Sequence, residues 1–167
     1  MLFHRPVLRV YGHPAVWLSR SHDLRSWTSP EPVLPARDGA WWDALQIGMG
    51  PPPIETPHGW LGFYHGVKRI ADGNVYRVGV VLLDLENPAL VRRRGEEWVF
   101  APAAGYELSG NAPNVVFPTG LVHDVAADRL RMYYGAADSA VALATARMSD
   151  VLEYTLSCPE PDHRPMW

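Results

Sequence analysis

Cysteine is nearly absent from the chain. Cys158 is the only one in 167 residues, so no intramolecular disulfide can form, and its surroundings have none of the spacings that mark a thiolate metal site or a redox pair. That leaves a free thiol near the C-terminus and a reducing, cytoplasmic compartment as the expectation. Long apolar runs are also missing. Nothing approaches the ~20 residues that cross a bilayer, and Met1-Leu2-Phe3-His4-Arg5-Pro6 lacks the apolar core of a signal peptide. Charge of one sign is scarce as well. The formal net charge is -3, and the one basic cluster, Arg92-Arg93-Arg94, is followed at once by Glu96-Glu97. Neither a nucleic-acid surface nor a membrane is implied by that balance. No Gly-rich phosphate loop opens a helix, no G-x-S-x-G is present, and no histidine–carboxylate spacing suits a metal.

Turn formers and aromatics are plentiful. Sixteen prolines, fourteen glycines, seven tryptophans and seven tyrosines are distributed between short apolar and β-branched runs, which is the texture of an all-β chain. No stretch shows a sustained, capped 3.6-residue period. Instead, two meanders can be traced. The first runs from Pro52-Pro53-Ile54-Glu55 through Trp60 to His65, turns at Asp72-Gly73-Asn74 and continues from Val75 to Leu85, with Glu97-Trp98-Val99-Phe100 as an expected outer strand. The second takes in Asn114 to Val122, Leu130 to Tyr134 and Ala140 to Arg147. A partial unit precedes both: Leu8-Arg9-Val10, a Tyr-Gly-His-Pro turn, then Ala15 to Ser19.

The units recur at roughly 60 residues, a period that signals blades or arrays. In each, a strand runs into an Asp close to a Leu, at Asp23-Leu24, Asp84-Leu85 and Asp150-Val151-Leu152. Asp23 and Asp84 read as turn-stabilising residues whose carboxylates accept backbone N–H groups. Pattern alone fits both a β-sandwich and a stack of four-stranded propeller blades. One domain over 1–167 is expected, with blades of about 1–40 (partial), 41–104 and 105–160. Two to three blades cannot close a ring that takes about 4–8, so a homo-oligomer or a partner chain is expected to cover the open apolar faces.

The densest segment runs from Trp41-Trp42-Asp43 through Gln46-Ile47-Gly48 and Pro51-Pro52-Pro53-Ile54 to Gly59-Trp60-Leu61-Gly62-Phe63-Tyr64-His65-Gly66-Val67. It resembles W-D-x-x-K-I-G-x-G-x-P-P-I-x-T-x-x-G-W-L-x-x-Y-H-G-V, the run of glycoside hydrolase family 130, the mannoside phosphorylases and β-mannosidases. Tyr76-Arg77-Val78-Gly79 with Leu82-Leu83-Asp84-Leu85, Tyr106-Glu107 with Asn114 to Gly120, and Tyr133-Tyr134-Gly135-Ala136-Ala137-Asp138 match further motifs in order. His4-Arg5-Pro6 and Ser21-His22-Asp23-Leu24 match two upstream ones, so the likeness covers essentially the whole chain.

The resemblance implies a five-bladed β-propeller, present here as an incomplete one. It also implies cleavage of β-mannosidic bonds in mannosyl oligosaccharides with inversion, by phosphate or by water. An inverting reaction needs an acid on the leaving oxygen and a nucleophile on the opposite face. Inorganic phosphate is the co-substrate of the phosphorylases, and no other cofactor or metal is implied. By the same resemblance Arg5 and His65 bind phosphate. Residue type alone leaves Arg5 readable as a surface cation and His65 as a satisfied structural histidine. Asp138, Asp43 and Tyr64 are implied on the sugar side, although an aromatic such as Tyr64 serves equally well as a wedge between blades.

Two departures from the family pattern stand out. The family's phosphate-binding lysine falls at Gln46, which donates hydrogen bonds without charge. The family's catalytic aspartate precedes H-R-P, outside these residues, so the catalytic acid is unassigned and the isolated chain is expected to be weakly active or inactive. A non-catalytic carbohydrate-binding or assembly module is the alternative.

Overall fold

Side-chain alternation and proline placement account for most of the architecture. The computed structural model describes residues 1–6 and 15–161. The expected strand at Leu8-Arg9-Val10 and the turn after it lie outside the described residues. Three antiparallel sheets follow one another along the chain. The first contains β1 (Leu2–His4), β2 (Val16–Ser19) and β3 (Glu31–Leu34), paired in that order. The middle sheet contains β4 (Gln46–Met49), β5 (Ile54–Thr56), β6 (Gly59–Ile70), β7 (Gly73–Leu83) and β8 (Val91–Arg94). After the short helix α1 (Gly105–Leu108) comes the third sheet, β9 (Val116–Asp124), β10 (Arg129–Ala136) and β11 (Ala140–Arg147), and then helix α2 (Met148–Ser157).

The expected four-stranded units therefore appear as sheets of three, five and three strands. In the middle sheet, β4 pairs with Tyr64 to Val67 and β5 with Gly59 to Leu61, along the same edge of β6. Gly50-Pro51-Pro52-Pro53 separates them because proline has no N–H to give the ladder. The five strands thus occupy four positions.

The middle sheet is covered on both faces, and the long apolar runs of β6 and β7 follow from that. Leu61 and Phe63 of β6, with Val78, Val80 and Leu82 of β7, pack against Val116, Leu130, Met132 and Tyr134 of the third sheet. Their neighbours Tyr64, Val81 and Leu83 pack the other way, against Val16, Leu18, Val33 and Leu34 of the first. Period-2 alternation is intact, but hydrophobicity no longer reveals it because both sides are dry.

Two expectations about elements are corrected. The outer strand of the middle sheet is β8, and Glu97 to Phe100 only touches β7, with Val78 N–H donating to the Phe100 carbonyl at 2.8 Å. The three strands of the third sheet are followed by helix α2, where a strand end and a turn were expected. The α2 start is tied down by the β9–β10 turn, where the Asp128 carboxylate accepts the Ser149 N–H at 3.0 Å, and Met148, Val151 and Leu156 join the core between middle and third sheets. Asp23 and Asp84 behave as turn residues, whereas the third recurring Asp, Asp150, lies in α2. Asp23 Oδ1 accepts the N–H groups of Arg25 and Ser26, both at 2.8 Å, and Asp84 Oδ1 those of Glu86 and Asn87 at 3.0 and 2.7 Å. Among the described residues no helix is long and apolar enough to cross a membrane.

Close approach of an aromatic plate explains two glycines. The Trp42 indole lies across β6 and β7, and a Cβ on Gly66 would come 2.4 Å from Trp42 Cζ3, while one on Gly79 would come 2.7 Å from Trp42 Cη2. Trp42 is pinned by its N–H, which donates to the Glu96 carbonyl at 2.8 Å, and by Tyr64, stacked at 5.6 Å. Gly66→Ala should therefore overpack this face and cost about 1–3 kcal/mol, read as a lower urea midpoint with an unchanged slope.

Candidate functional site

Odd-numbered residues of β6 face the third sheet, and His65 is among them. It pairs with Gly48 of β4. A Cβ on Gly48 would lie 2.4 Å from His65 Cε1, so only glycine lets the imidazole sit flat over β4. Tyr76 of β7 stacks on the ring at 6.0 Å and Phe117 of β9 tilts against it at 4.4 Å. His65 is 4% exposed, and its Nδ1 has no hydrogen-bond partner among the described residues. Burial, and then the positive charge of Arg5, hold its pKa down at about 4. The ring is neutral at pH 7 and has an unused nitrogen.

Arg5 and Gln46 converge on the same corner. Arg5 follows β1 and leans its guanidinium on the Ile47 carbonyl at 3.5 Å. Gln46, at the start of β4, donates through Nε2 to the Tyr76 hydroxyl at 3.1 Å. Tyr76 thus touches both Gln46 and His65. Three of the residues expected to bind phosphate come together from three strands or strand ends. A guanidinium, a carboxamide and a neutral imidazole in one place can hold an anion by hydrogen bonds, with one full positive charge to offset it.

Asp43 and Tyr64 do not belong to that corner. Tyr64 neighbours His65 in sequence, so it points to the opposite face of β6. Both residues are fully buried and present no surface to a sugar, which corrects their expected role in sugar contact. Arg37 grips Asp43 through two bonds, Nε to Oδ1 at 2.8 Å and Nη2 to Oδ2 at 3.0 Å. Arg94 of β8 donates to Oδ2 at 2.9 Å, and the Tyr64 hydroxyl donates to the same oxygen at 3.0 Å. Burial pushes the Tyr64 hydroxyl up to about 12 in spite of the opposing Arg94 charge.

Asp138 is exposed at the β10–β11 turn, in a left-handed conformation with φ 50°. Its backbone carbonyl accepts from Asn111 Nδ2 at 3.3 Å, and its carboxylate makes no hydrogen bond or ion pair among the described residues. The contacts it makes are thus with the loop after α1 rather than with the Arg5 corner. A further buried carboxylate had no role assigned from sequence. Glu107 accepts the N–H groups of Ala103 and Ala104, both at 2.7 Å, and the Tyr134 hydroxyl at 2.5 Å. Burial alone would raise its pKa, but the Tyr134 bond and the two backbone bonds outweigh it and hold it below the usual carboxylate range. The Tyr-Glu motif at 106–107 was the available signal. Among the described residues no cluster of His, Cys, Asp and Glu could hold a metal ion.

Fold and corner together define a chain of antiparallel β-sheets in which a guanidinium, a carboxamide and a buried imidazole meet at one corner. Residues 1–156 match the sequence pattern of glycoside hydrolase family 130, described as beta-1,4-mannooligosaccharide phosphorylase. The chain is 40% identical over 139 residues to the 1,2-beta-oligomannan phosphorylase of Thermoanaerobacter sp. (strain X514), covering 83% of this chain and 45% of that one. It is 38% identical over 149 residues to the beta-1,2-mannobiose phosphorylase of Listeria innocua serovar 6a, covering 89% and 40%. The solved structure of the Listeria innocua enzyme with beta-1,2-mannobiose superposes with a TM-score of 0.84 at 35% identity, over 92% of this chain and 42% of that one. The chain belongs to glycoside hydrolase family 130. It spans less than half the length of these relatives.

Removing the carboxylate from the buried cluster strands two guanidinium groups. Asp43→Ala should cost about 3–5 kcal/mol, the scale for breaking a buried ion pair from one side, and chemical denaturation monitored by tryptophan fluorescence measures it.

Proposed function

We propose that Arg5, Gln46 and His65 form the phosphate-holding wall of a β-mannoside phosphorylase-type site. The observation that carries this reading is the unpartnered Nδ1 of His65, buried to 4% exposure beside the Arg5 guanidinium. A buried polar atom without a partner costs about 1–3 kcal/mol, and a bound oxyanion would satisfy it.

In an inverting phosphorolysis, a phosphate oxygen forms a bond to the anomeric carbon of the mannosyl unit while the glycosidic C–O bond breaks on the opposite face. The leaving oxygen takes a proton from a general acid. Arg5 would orient the phosphate through two parallel N–H groups, Gln46 through its amide, and His65 by accepting a proton from the phosphate or donating one to it. The free carboxylate of Asp138 is proposed to meet sugar hydroxyls. Asp43 and Tyr64 support the wall from behind. The resemblance puts the general acid outside these residues, so the 167-residue chain by itself is proposed to bind without turning over. Gln46 in the lysine position favours a second reading, a carbohydrate-binding or assembly module with a weakened anion site.

The three sheets are proposed as part of a propeller, with blade limits near 1–40, 41–104 and 105–160. The outer face of the third sheet carries Val141, 79% exposed, with Leu143 and Tyr133 beside it. A second copy or a partner chain is proposed to cover it. A cytoplasmic compartment fits the single free thiol, Cys158.

An anion beside an imidazole favours its protonated form. Adding inorganic phosphate should therefore move the His65 pKa upward from about 4, as followed by NMR of the ring protons across pH. Arg5→Ala should abolish the movement, and Gln46→Lys should tighten phosphate binding by about tenfold. An unmoved His65 overturns the phosphate reading. β-1,2- and β-1,4-mannobiose incubated with the chain and phosphate should yield no mannose 1-phosphate, and turnover would refute the inactivity. Light scattering should give at least a dimer, and a stable monomer counts against the covered face.

A further inference from the structure

A cleft opens on the face of β6 and β7 that His65 does not use. Lys68 and Ile70 continue the even-numbered side of β6, together with Tyr64 and Gly66, and Arg77 sits opposite Gly66 on β7. Lys68, Ile70 and Arg77, with Trp41, Trp98 and Glu97, line a cleft of about 480 Å³, within the ~300–1,000 Å³ typical of small-molecule sites.

The walls of this cleft are fixed in place. Trp98 meets the buried Trp42 edge to face at 6.4 Å, and the Arg77 guanidinium lies 4.2 Å from the Trp98 ring centre. Arg37 lies 3.9 Å from the Trp41 ring centre while its N–H groups hold Asp43. Each indole therefore has one face backed by a guanidinium, and that of Arg37 is itself anchored on Asp43. Even so, Trp41 is 39% and Trp98 40% exposed. Neither indole N–H makes a hydrogen bond among the described residues. Lys68 gives one donor to the Ala40 carbonyl at 2.6 Å, which leaves two of its three free.

Two rigid, half-exposed indoles with a lysine, an arginine and a carboxylate between them match the chemistry of a pyranose. Its C–H face is apolar and stacks on an aromatic ring, and its equatorial rim of hydroxyls both donates and accepts. We propose that this cleft is a second carbohydrate-binding site, for a mannosyl unit of an oligosaccharide, separate from the phosphate corner. The choice of mannose rests on the functional reading above, whereas the choice of a sugar rests on the cleft itself. Pre-organised walls reduce the ordering cost of binding. The site holds sugar without cleaving it.

The test is a titration of the 167-residue chain with β-1,2-mannotriose, followed by saturation-transfer NMR and by the indole N–H resonances. Mannotriose should shift the Trp41 and Trp98 indoles saturably, and Trp98→Ala should weaken binding by about tenfold. Trp98→Phe should retain most of the affinity. Trp41→Ala and Lys68→Gln, both at the rim, serve as the readout if Trp98→Ala does not fold. Arg5→Ala should leave this binding unchanged, and inorganic phosphate should shift His65 without shifting the two indoles. Unaltered affinity in the tryptophan variants overturns the second site, as does failure of the wild-type chain to bind mannotriose. The His65 response to phosphate, read separately, shows whether the phosphate corner survives either result.

Discussion

The middle sheet depends on one carboxylate kept away from water. Asp43 is fully buried, and an uncompensated charge there would be prohibitive. Its four bonds from Arg37, Arg94 and the Tyr64 hydroxyl join the loop before β4 to β8 on the far side of the sheet and to β6 between them. Arg94 is itself buried at 6%, so neither partner can leave without stranding the other. Such a cluster is a weak source of net stability, but it is demanding about geometry. It sets where β8 ends and how deep β6 lies, and it sets the point at which the chain enters β4 at Gln46. Since Tyr64 and His65 are successive residues, a bond on one face of β6 fixes the height of the imidazole on the other.

Three glycines form the counterpart of this constraint. Gly48 makes room for His65, and Gly66 and Gly79 make room for Trp42. In each place a flat ring lies directly on backbone, and the ring's position is as well defined as the sheet's. A site built this way has little play. Tyr76 and Phe117 lie against the imidazole and fix its place in the sheet. Gln46 adds a donor without adding charge, so Arg5 is the fixed positive charge of the corner.

Much of this was legible in the sequence where the signal was local. The Trp42 to Val67 run, with its prolines and glycines, marked the middle sheet, and Asp23 and Asp84 announced their turns because an Asx turn is decided by residues within three positions. The convergence of Arg5, Gln46 and His65 was legible through resemblance only, since no spacing rule links residues on three strands. The errors have physical causes. Asp43 was placed on the sugar side through its W-D match and Tyr64 as an aromatic able to stack, while the partners that engage Asp43, Arg37 and Arg94, lie 6 and 51 positions from it. β8 was hidden by its three arginines, one of which is drawn inward by that same Asp43. Helix α2 does carry a helical apolar spacing at Met148, Val151, Leu152 and Leu156. Its stop-gap for a cap, Asp128, arrives from 21 residues upstream, where a search for local caps does not look.

Because α2 takes the place of a fourth strand, β11 is left as an edge of the third sheet, bonded to β10 on one side. Its sequence, Ala140-Val141-Ala142-Leu143-Ala144-Thr145-Ala146-Arg147, contains no proline and no charge before the last residue. Edge strands in folded proteins are usually guarded by lysines, prolines or bulges. This one has only Arg147 at its end, and that guanidinium is engaged with Asp150 at 2.8 Å. The eight residues offer a ready template for strand addition, in register or out of it. A strand so little guarded favours association between chains at high concentration, a matter separate from the buried charges around Asp43.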